Sequence, residues 1–262
     1  MNEFDESIEL QRAGPHEWTG RADPRREAST GMFGGWTAAV LLKAVLSDAA
    51  DPGSPVSLTV HYLSAVVPGS ALVIRTRALG GSRALATWQA ELAAADATGP
   101  AAIATVVLAK RRESVGFTDA AMPDVPPPDG LPTFRPPGTF GQRSLSRPVN
   151  GFPIFDRTDA STMFWLRETS GRALDAVQLA YLADHYPPRS WSRRSEPGPY
   201  STITLSAYFH ATDAELAALG DDDVLVDVRC SRAESSTVAA HARLWSRGGV
   251  LLVTTEQLGW FK

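Results

Sequence analysis

The same order of predicted elements occurs twice in this chain of 262 residues, on either side of a proline-rich segment. Residues 111–150 contain eight of the nineteen prolines. Because proline fixes φ and lacks a backbone N–H, we predict that this segment is a linker strapped over a surface, outside any sheet or continuous helix. The linker would divide the chain into an N-terminal unit at 1–110 and a C-terminal unit at 151–262.

Each half is predicted to contain one helix followed by four long strands. In the first half the helix covers 34–46 and the strands cover 57–63, 71–77, 84–92 and 101–108. In the second half the helix covers about 172–186 and the strands cover 201–210, 223–229, 236–245 and 250–260. Shorter strands are predicted at 7–12, 17–21 and 161–167, and glycine-containing turns at 96–100 and 246–249 join the last two strands of each half.

This order of elements predicts the fold class. Parallel βαβ units would require a helix between successive strands, and the long strands here follow one another directly. One helix followed by several hairpin-linked strands favours an antiparallel sheet wrapped around that helix. The sequence therefore predicts an α+β fold in which this unit occurs twice in tandem.

Composition and charge exclude several classes of protein. A hydrophobic fraction of 44% with 21% charged residues is typical of a globular chain. The formal net charge of −4 provides no basic surface for nucleic acid. No apolar run approaches the ~20 residues that span a bilayer, and the acidic N-terminus does not have the pattern of a signal peptide. We therefore expect a cytoplasmic protein with neither a membrane span nor a nucleic-acid partner.

The residue types that bind metals and cofactors occur without the required spacing. The single cysteine, Cys230, excludes an internal disulfide and a cysteine-rich zinc site, and the five histidines lack metal-ligand spacing. Nucleophile elbows of the form Gly-x-Ser-x-Gly, dinucleotide fingerprints and phosphate loops are absent. We expect no metal and no cofactor, and we interpret Cys230 as a packed thiol in a strand.

Several short motifs resemble those of one family in their order and spacing across the two halves. They are Phe33-Gly-Gly, Val60-His-Tyr-Leu and Pro68-Gly in the first half, and Phe164-Trp-Leu-Arg, Leu182-Ala-Asp, Tyr208-Phe-His and Thr254-Thr-Glu-Gln in the second. Together they resemble the double-hotdog acyl-CoA thioesterases of the thioesterase II type. The resemblance implies a tandem hotdog fold, in which each antiparallel sheet wraps around one long helix, and acyl-CoA as the substrate.

The resemblance also implies which residues hold the attacking water. By local motif these are Asp184, Thr202 and Gln257. Thr204 and Ser206 are alternatives to Thr202, because they follow it at the period of two that keeps side chains on one face of a strand. A carboxylate can accept the proton of the water, while a hydroxyl and a carboxamide fix its orientation.

The substrate is expected to contact two further groups of residues. Gly34 and Gly35 open the first predicted helix, where unpaired N–H groups and the helix dipole would stabilise an oxyanion; close helix packing is the alternative explanation for these glycines. Arg193 and Arg194 would meet the phosphates of coenzyme A. The alternative is that these arginines belong to a solvated charged loop.

The first half lacks polar residues at the positions that correspond to Gln257 and Thr202. When the two halves are aligned, Gln257 falls opposite the apolar run 107–109, and Thr202 falls opposite Pro55. The first-half carboxylate that competes with Asp184 is Asp48, which we interpret as part of a turn. We therefore predict one composite site per chain, which combines the helix start of the first half with the polar residues of the second.

Two other functions remain open at this point. A non-catalytic acyl-thioester binding protein could use the same cleft without turnover. A hotdog-fold enoyl-CoA hydratase is the other, although the Asp-x-x-x-Asn-Pro-x-His run of such enzymes is absent. Two hotdog units in one chain already imitate a dimer, and exposed sheet edges would still allow a homo-oligomer.

Overall fold

Strands form where apolar and polar residues alternate along the chain. In the computed structural model, which describes residues 2–50 and 53–262, the strand Ala102–Ala109 illustrates this: Ala102, Ala104, Val106 and Leu108 are fully buried, and the residues between them are half-buried. Repeated across the described residues, this pattern builds twelve antiparallel strands into one continuous sheet.

The helices are α1 (Glu3–Ser7), α2 (Gly34–Asp48), α3 (Thr139–Gln142), α4 (Ala176–Leu182) and α5 (Asp213–Leu219), with single 3₁₀ turns at Pro24–Arg26 and Arg189–Arg193. The strands of the first half are β1 (Gln11–Gly14), β2 (Glu17–Arg21), β3 (Glu27–Ala28), β4 (Gly31–Met32), β5 (Ser54–Tyr62), β6 (Ala71–Gly81), β7 (Leu85–Ala94) and β8 (Ala102–Ala109). Those of the second half are β9 (Ser144–Asn150), β10 (Thr162–Glu168), β11 (Tyr200–Phe209), β12 (Val224–Glu234), β13 (Thr237–Ser246) and β14 (Leu251–Phe261).

The two halves meet at a central pair of strands. The strand order β1-β2-β6-β7-β8-β5-β11-β14-β13-β12-β10-β9 is the same in each half when read outward from the junction of β5 and β11. At that junction Thr59 pairs with Ser206, and their hydroxyl oxygens lie 3.0 Å apart. These two residues are also counterparts in the repeat, so an approximate two-fold axis passes between them. The predicted tandem α+β arrangement is confirmed.

Helix α2 is the central element of the first half. It packs against β5, β6, β7 and β8, and it also contacts α4 from the second half. Its buried side chains include Trp36, Leu41 and Val45. The two helices therefore bury their apolar faces against each other and against the sheet.

The second helix is shorter than predicted. The sequence indicated a helix over about 172–186, but α4 covers only Ala176–Leu182. Asp175 caps its N-terminus by accepting a hydrogen bond from the N–H of Gln178, and Arg172 is held outside the helix by an ion pair with the same carboxylate. Asp184 consequently lies in the turn that follows the helix.

Other elements also differ from the predictions. The prediction that 111–150 stays outside any sheet is wrong for β9, which pairs with β10 at the end of the sheet. Pro148 is accommodated there because an edge strand leaves one side without hydrogen-bond partners. The strand predicted at 7–12 is partly replaced by α1, and α5 was not predicted.

The proline-rich strap, residues 120–131, covers the outer face of the second half. Trp165, Leu225 and Trp245 lie side by side on three neighbouring strands, and all are buried. Side chains of the strap pack on this row, and the carbonyl of Pro126 accepts a hydrogen bond of 2.8 Å from Nε1 of Trp165. The part of the linker prediction that placed this segment over a surface agrees with the structure.

A buried ion pair fixes the start of α2 against the second half. The guanidinium of Arg26, in the first half, donates a 2.9 Å hydrogen bond to Glu168 on β10, and both side chains are fully buried. The carbonyl of Arg26 accepts from the N–H of Phe33, the residue before α2. The ion pair thus helps to place the first turn of α2 beside the C-terminal half.

None of the helices in residues 2–50 and 53–262 combines the length and the apolar character that a membrane-spanning helix needs.

Candidate active site

The N-terminus of α2 lies directly against Asp184. A Cβ atom added to Gly34 would lie 2.5 Å from Oδ2 of Asp184, and one added to Gly35 would overlap the carbonyl oxygen of Tyr181. Glycine is therefore required at both positions by close approach of the second half. The backbone N–H of Gly35 interacts with the Asp184 carboxylate and lowers its pKa. As predicted, the helix start of one half meets the aspartate of the other.

Asp184 is a buried carboxyl group, with 7% of the residue exposed. Burial raises the pKa of Asp184 to about 7, because the charged form is poorly solvated; the hydrogen bonds from Gln257 and from the N–H of Gly35 act in the opposite direction. A carboxyl group with this pKa exchanges protons near neutral pH, which suits a general base.

Gln257 connects the polar groups of the site. Its Nε2 donates to Oδ1 of Asp184 at 2.6 Å and to Oγ1 of Thr202 at 3.3 Å. Its Oε1 accepts a hydrogen bond of 2.7 Å from the hydroxyl of Tyr200. The structure therefore brings together the three residues that the resemblance indicated, and adds a tyrosine to them.

A β-bulge in β11 decides which hydroxyl faces the site. The register with β14 shifts between Thr202 and Thr204. A bulge reverses the alternation of side chains, so Thr202 shares a face with the buried residue Leu205, whereas Thr204 and Ser206 lie on the opposite face. On that opposite face the hydroxyl of Ser206 is hydrogen-bonded to the hydroxyl of Thr59. The alternatives Thr204 and Ser206 are therefore wrong as neighbours of Gln257.

The first half has apolar residues at the counterpart positions. Strand register makes Val106 the counterpart of Gln257, because Val106 pairs with Leu58 as Gln257 pairs with Leu205. This is one residue away from the run 107–109 given by the sequence alignment. Pro55, the counterpart of Thr202, precedes an equivalent bulge in β5. The polar groups beside Asp184 have no equivalent at these two positions of the first half.

Asp48 does not form a turn, contrary to the prediction. It is the last residue of α2, and its side chain is 1% exposed. Its carboxylate accepts hydrogen bonds from Nε1 of Trp18 at 3.0 Å, from Arg12 at 2.8 Å and from the hydroxyl of Thr76. Burial alone would raise the pKa of Asp48, but these hydrogen bonds outweigh it and the pKa is lowered. Asp48 holds the N-terminal strands on α2, away from Asp184.

Aromatic side chains surround Asp184. Tyr62, on β5, donates a hydrogen bond of 2.9 Å to the carbonyl of Gly34. Burial, and then the negative charge of Asp184, raise the pKa of Tyr62 and of Tyr200 well above the ordinary value. Burial likewise raises the pKa of Tyr186. These tyrosines stay neutral at physiological pH, so they enclose the carboxylate without contributing charge.

The arginines predicted to bind coenzyme A occupy a separate loop. Arg193 is exposed and donates to the carbonyl of Arg157 at 2.7 Å, and Arg194 donates to the carbonyl of Lys262. Neither guanidinium hydrogen-bonds to Asp184, Thr202 or Gln257 among the contacts of the described residues. Binding of the coenzyme A phosphates by Arg193 and Arg194 stays a prediction.

Cys230 is half-buried in β12, and burial raises the pKa of its thiol. Such a thiol is a poor nucleophile at neutral pH. Within residues 2–50 and 53–262, no three His, Cys, Asp or Glu side chains form a group that could hold a metal ion.

Sequence reasoning missed Tyr200. The signal that could have revealed it is its spacing: Tyr200 lies two residues before Thr202, so both belong to one face of a strand. Gly259, which lies opposite Thr202 on β14, provides the space for the ring, since a Cβ there would lie 2.5 Å from Cε2 of Tyr200.

Two family models match the chain. The model of the acyl-CoA thioesterase N-terminal domain matches residues 22–109, and that of the acyl-CoA thioesterase C-terminal domain matches residues 119–261. The chain belongs to the acyl-CoA thioesterase family. The family prediction is confirmed, and this acyl-CoA thioesterase is a thioester hydrolase. A comparison with curated protein sequences gave no match.

Solved structures show the same fold over the whole thioesterase. A hotdog-fold protein of unknown function from Alicyclobacillus acidocaldarius has 30% sequence identity and a TM-score of 0.94, covering 100% of this chain and 98% of the other. The tesB protein from Mycobacterium avium subs paratuberculosis has 19% identity and a TM-score of 0.82, with 99% and 98% covered. Acyl-CoA thioesterase II TesB2 from Mycobacterium marinum has 17% identity and a TM-score of 0.79, again with 99% and 98% covered. The tandem hotdog fold is confirmed.

Proposed function

We propose that this thioesterase hydrolyses an acyl-CoA by direct attack of a water molecule held by Asp184, Thr202 and Gln257. The observation that carries the proposal is the buried Asp184 carboxylate, which lies 2.6 Å from Nε2 of Gln257 and against the first turn of α2. A carboxylate of raised pKa, a fixed amide and a hydroxyl are the groups that would orient and deprotonate one water.

The reaction begins with transfer of a proton from the water to Asp184. The resulting hydroxide forms a bond to the carbonyl carbon of the thioester, and the carbonyl oxygen becomes an oxyanion. Collapse of this intermediate breaks the carbon–sulfur bond, and the leaving thiolate takes up the proton that Asp184 accepted. The products are a carboxylic acid and free coenzyme A, and the carboxylate returns to its starting state.

The first turn of α2 can stabilise both negative charges of this reaction, the Asp184 carboxylate and the oxyanion of the intermediate. In the structure the backbone N–H of Gly35 already interacts with Asp184 and favours its charged form. The N–H groups of a first turn have no partner inside the helix, and the positive end of the helix dipole lies there. We assign stabilisation of the oxyanion to this turn, with Gly34 leaving the backbone open to the substrate.

The decisive experiment measures thiol release from a panel of acyl-CoA substrates of increasing chain length. Hydrolysis by the wild type and its loss in Asp184→Asn would support the proposal. Binding of acyl-CoA without release of thiol would instead identify an acyl-thioester binding protein. Parallel assays with the same acyl groups on an acyl-carrier protein would show which carrier is used.

Further properties follow the proposed activity. Hydrolysis of acyl-CoA would place the protein in lipid metabolism, and we retain the cytoplasmic location predicted from the sequence. The open edge of β1, at one end of the sheet, is where a homo-oligomer would form by strand pairing. Gel filtration combined with light scattering would show the number of chains in solution.

A further inference from the structure

Tyr200 and Gln257 form an arrangement that the proposed three-residue site does not include. The hydroxyl of Tyr200 donates to Oε1 of Gln257 at 2.7 Å, while the other end of the same amide donates to Asp184 and Thr202. The Tyr200 hydroxyl also interacts with the hydroxyl of Thr202. The four side chains therefore form one connected hydrogen-bond network.

The network has a direction because an amide has two different ends. In the observed orientation Nε2 donates to the carboxylate, as a charged Asp184 requires. If the amide were turned over, Oε1 would face Asp184, and that arrangement is favourable only when Asp184 carries a proton. A phenol is a stronger hydrogen-bond donor than acceptor, so the Tyr200 hydroxyl, which donates to Oε1, favours the orientation that matches the charged base.

From this geometry we infer that Tyr200 is a positioning residue, which holds the amide of Gln257 in the orientation that keeps Asp184 charged and able to accept a proton. This inference rests on the proposed function, since it assigns Tyr200 a role in that same site. Tyr200 acts through Gln257 and need not touch the substrate.

The opposite strand is built to admit the tyrosine. Gly259 pairs with Thr202 and has no Cβ, and an added Cβ would lie 2.5 Å from Cε2 of Tyr200. The ring of Tyr200 can thus lie over Gly259 of β14, and its hydroxyl reaches the amide of Gln257. Two substitutions on different strands consequently disturb one hydrogen bond: Tyr200→Phe removes the hydroxyl, and Gly259→Ala displaces the ring that carries it.

The titration of Asp184 gives a direct measure of this role. The groups that face Asp184 are the N–H of Gly35, the amide of Gln257 and the hydroxyls of Tyr62, Tyr186 and Tyr200, and all are uncharged near neutral pH. A change in the orientation of the amide is therefore not masked by a second group titrating nearby. Losing one neutral hydrogen bond that favours the charged form corresponds to an upward shift of about 0.5–1 pH unit in the pKa of Asp184.

The test compares Tyr200→Phe, Gly259→Ala and a control, Tyr208→Phe, which removes a hydroxyl from the exposed face of the same strand. Carbon-13 NMR of the aspartate carboxyl groups would follow Asp184 without any need for turnover, and kcat and KM would be measured across pH. We expect both site variants to raise the pKa of Asp184 by about 0.5–1 unit and therefore to lower kcat about two- to fivefold at pH 7, with KM within about twofold. The control should match the wild type in every respect.

The outcomes separate the two hypotheses. An unchanged pKa of Asp184 in folded Tyr200→Phe would overturn the positioning role, even if the enzyme hydrolyses acyl-CoA. A fall in kcat together with a fall in melting temperature, but without a shift in the pKa of Asp184, would indicate that Tyr200 has only a structural role. This result would also overturn the positioning role. A raised pKa of Asp184 in Tyr200→Phe, together with no hydrolysis of acyl-CoA by the wild type, would support the role of Tyr200 and reject the proposed function.

Discussion

Replacing Asp184 with Asn tests the base and its surroundings in one variant. Asn keeps the size of the side chain but cannot accept a proton from water. General-base catalysis contributes about 10²–10⁴-fold, so we expect kcat to fall by that factor while KM changes little. Thiol release from an acyl-CoA substrate measures both constants.

The same substitution should have an opposite effect on stability. The pKa of Asp184 is raised from 3.8 to about 7 by burial. This shift of about three pH units corresponds to about 4 kcal/mol of destabilisation when the carboxylate is charged. Asn avoids this cost, but loses one of the two acceptors that Gln257 and the N–H of Gly35 use, at about 1–3 kcal/mol. At pH 8 the variant should therefore be more stable than the wild type by about 1–3 kcal/mol.

The advantage should depend on pH in a defined way. The folded pKa of Asp184 lies above the unfolded one, so the wild type is most favoured when the carboxyl is protonated and loses stability progressively as the pH rises from the unfolded pKa of 3.8 to the folded pKa of about 7. The difference between variant and wild type should thus grow from pH 5 to about pH 7 and then level off in denaturant unfolding experiments. Near-wild-type hydrolysis by the folded variant, or a stability difference that is constant with pH, would refute the reasoning.

Asp48→Asn is the matched control. The pKa of Asp48 is lowered, since the hydrogen bonds from Thr76, Trp18 and Arg12 outweigh its burial. Its stabilising contribution is therefore fully present at neutral pH and is lost only as the pH falls below the ordinary range of an aspartate. We expect this variant to lose stability at pH 8 and, where it is folded, to keep kcat.

Three further predictions concern the site. Gln257→Ala and Thr202→Ala weaken the orientation of the water without removing the base, so each should lower kcat roughly tenfold to a hundredfold. Adding Gln257→Ala to Asp184→Asn should lower kcat little further, because both residues act on one water. Multiplying effects of the two substitutions in kinetic assays would contradict a shared water. Neither EDTA nor Cys230→Ser should abolish thiol release, and loss of most turnover in a folded sample after either treatment would reject direct attack by water. Gly34→Ala places a Cβ 2.5 Å from Oδ2 of Asp184, so activity should drop strongly while circular dichroism shows a folded protein, and full activity would show that the close approach has no role.

Most long strands were predictable because hydrophobic alternation is a local property. The turns at 96–100 and 246–249 lie between the strands that they were expected to join. Strand β9 was missed because Pro148 argues against a strand, and only its position at the sheet edge makes proline acceptable. Edge position is a property of the whole sheet and cannot be read from the segment itself.

The site was predictable in its residue types but not in its geometry. Motif order indicated Asp184 and Gln257, and the structure places them 2.6 Å apart. The choice among Thr202, Thr204 and Ser206 depended on a bulge that shifts the register by one residue, and periodicity along a single strand cannot show it. Tyr200 was missed because its role depends on the space left by Gly259, on another strand.

The two-fold relation between the halves has a consequence for how such a chain can change. In a dimer of identical units, any substitution appears at both symmetry-related places, so a polar residue needed at one site must also be tolerated at the other. Here Val106 and Gln257 occupy corresponding places on covalently joined units, and each can be selected for its own surroundings. Val106 is fully buried and contributes to the core, whereas Gln257 serves a polar cluster. Joining the units in one chain thus releases the Val106 position from the need for a polar side chain, while the first half still supplies the helix start that meets Asp184.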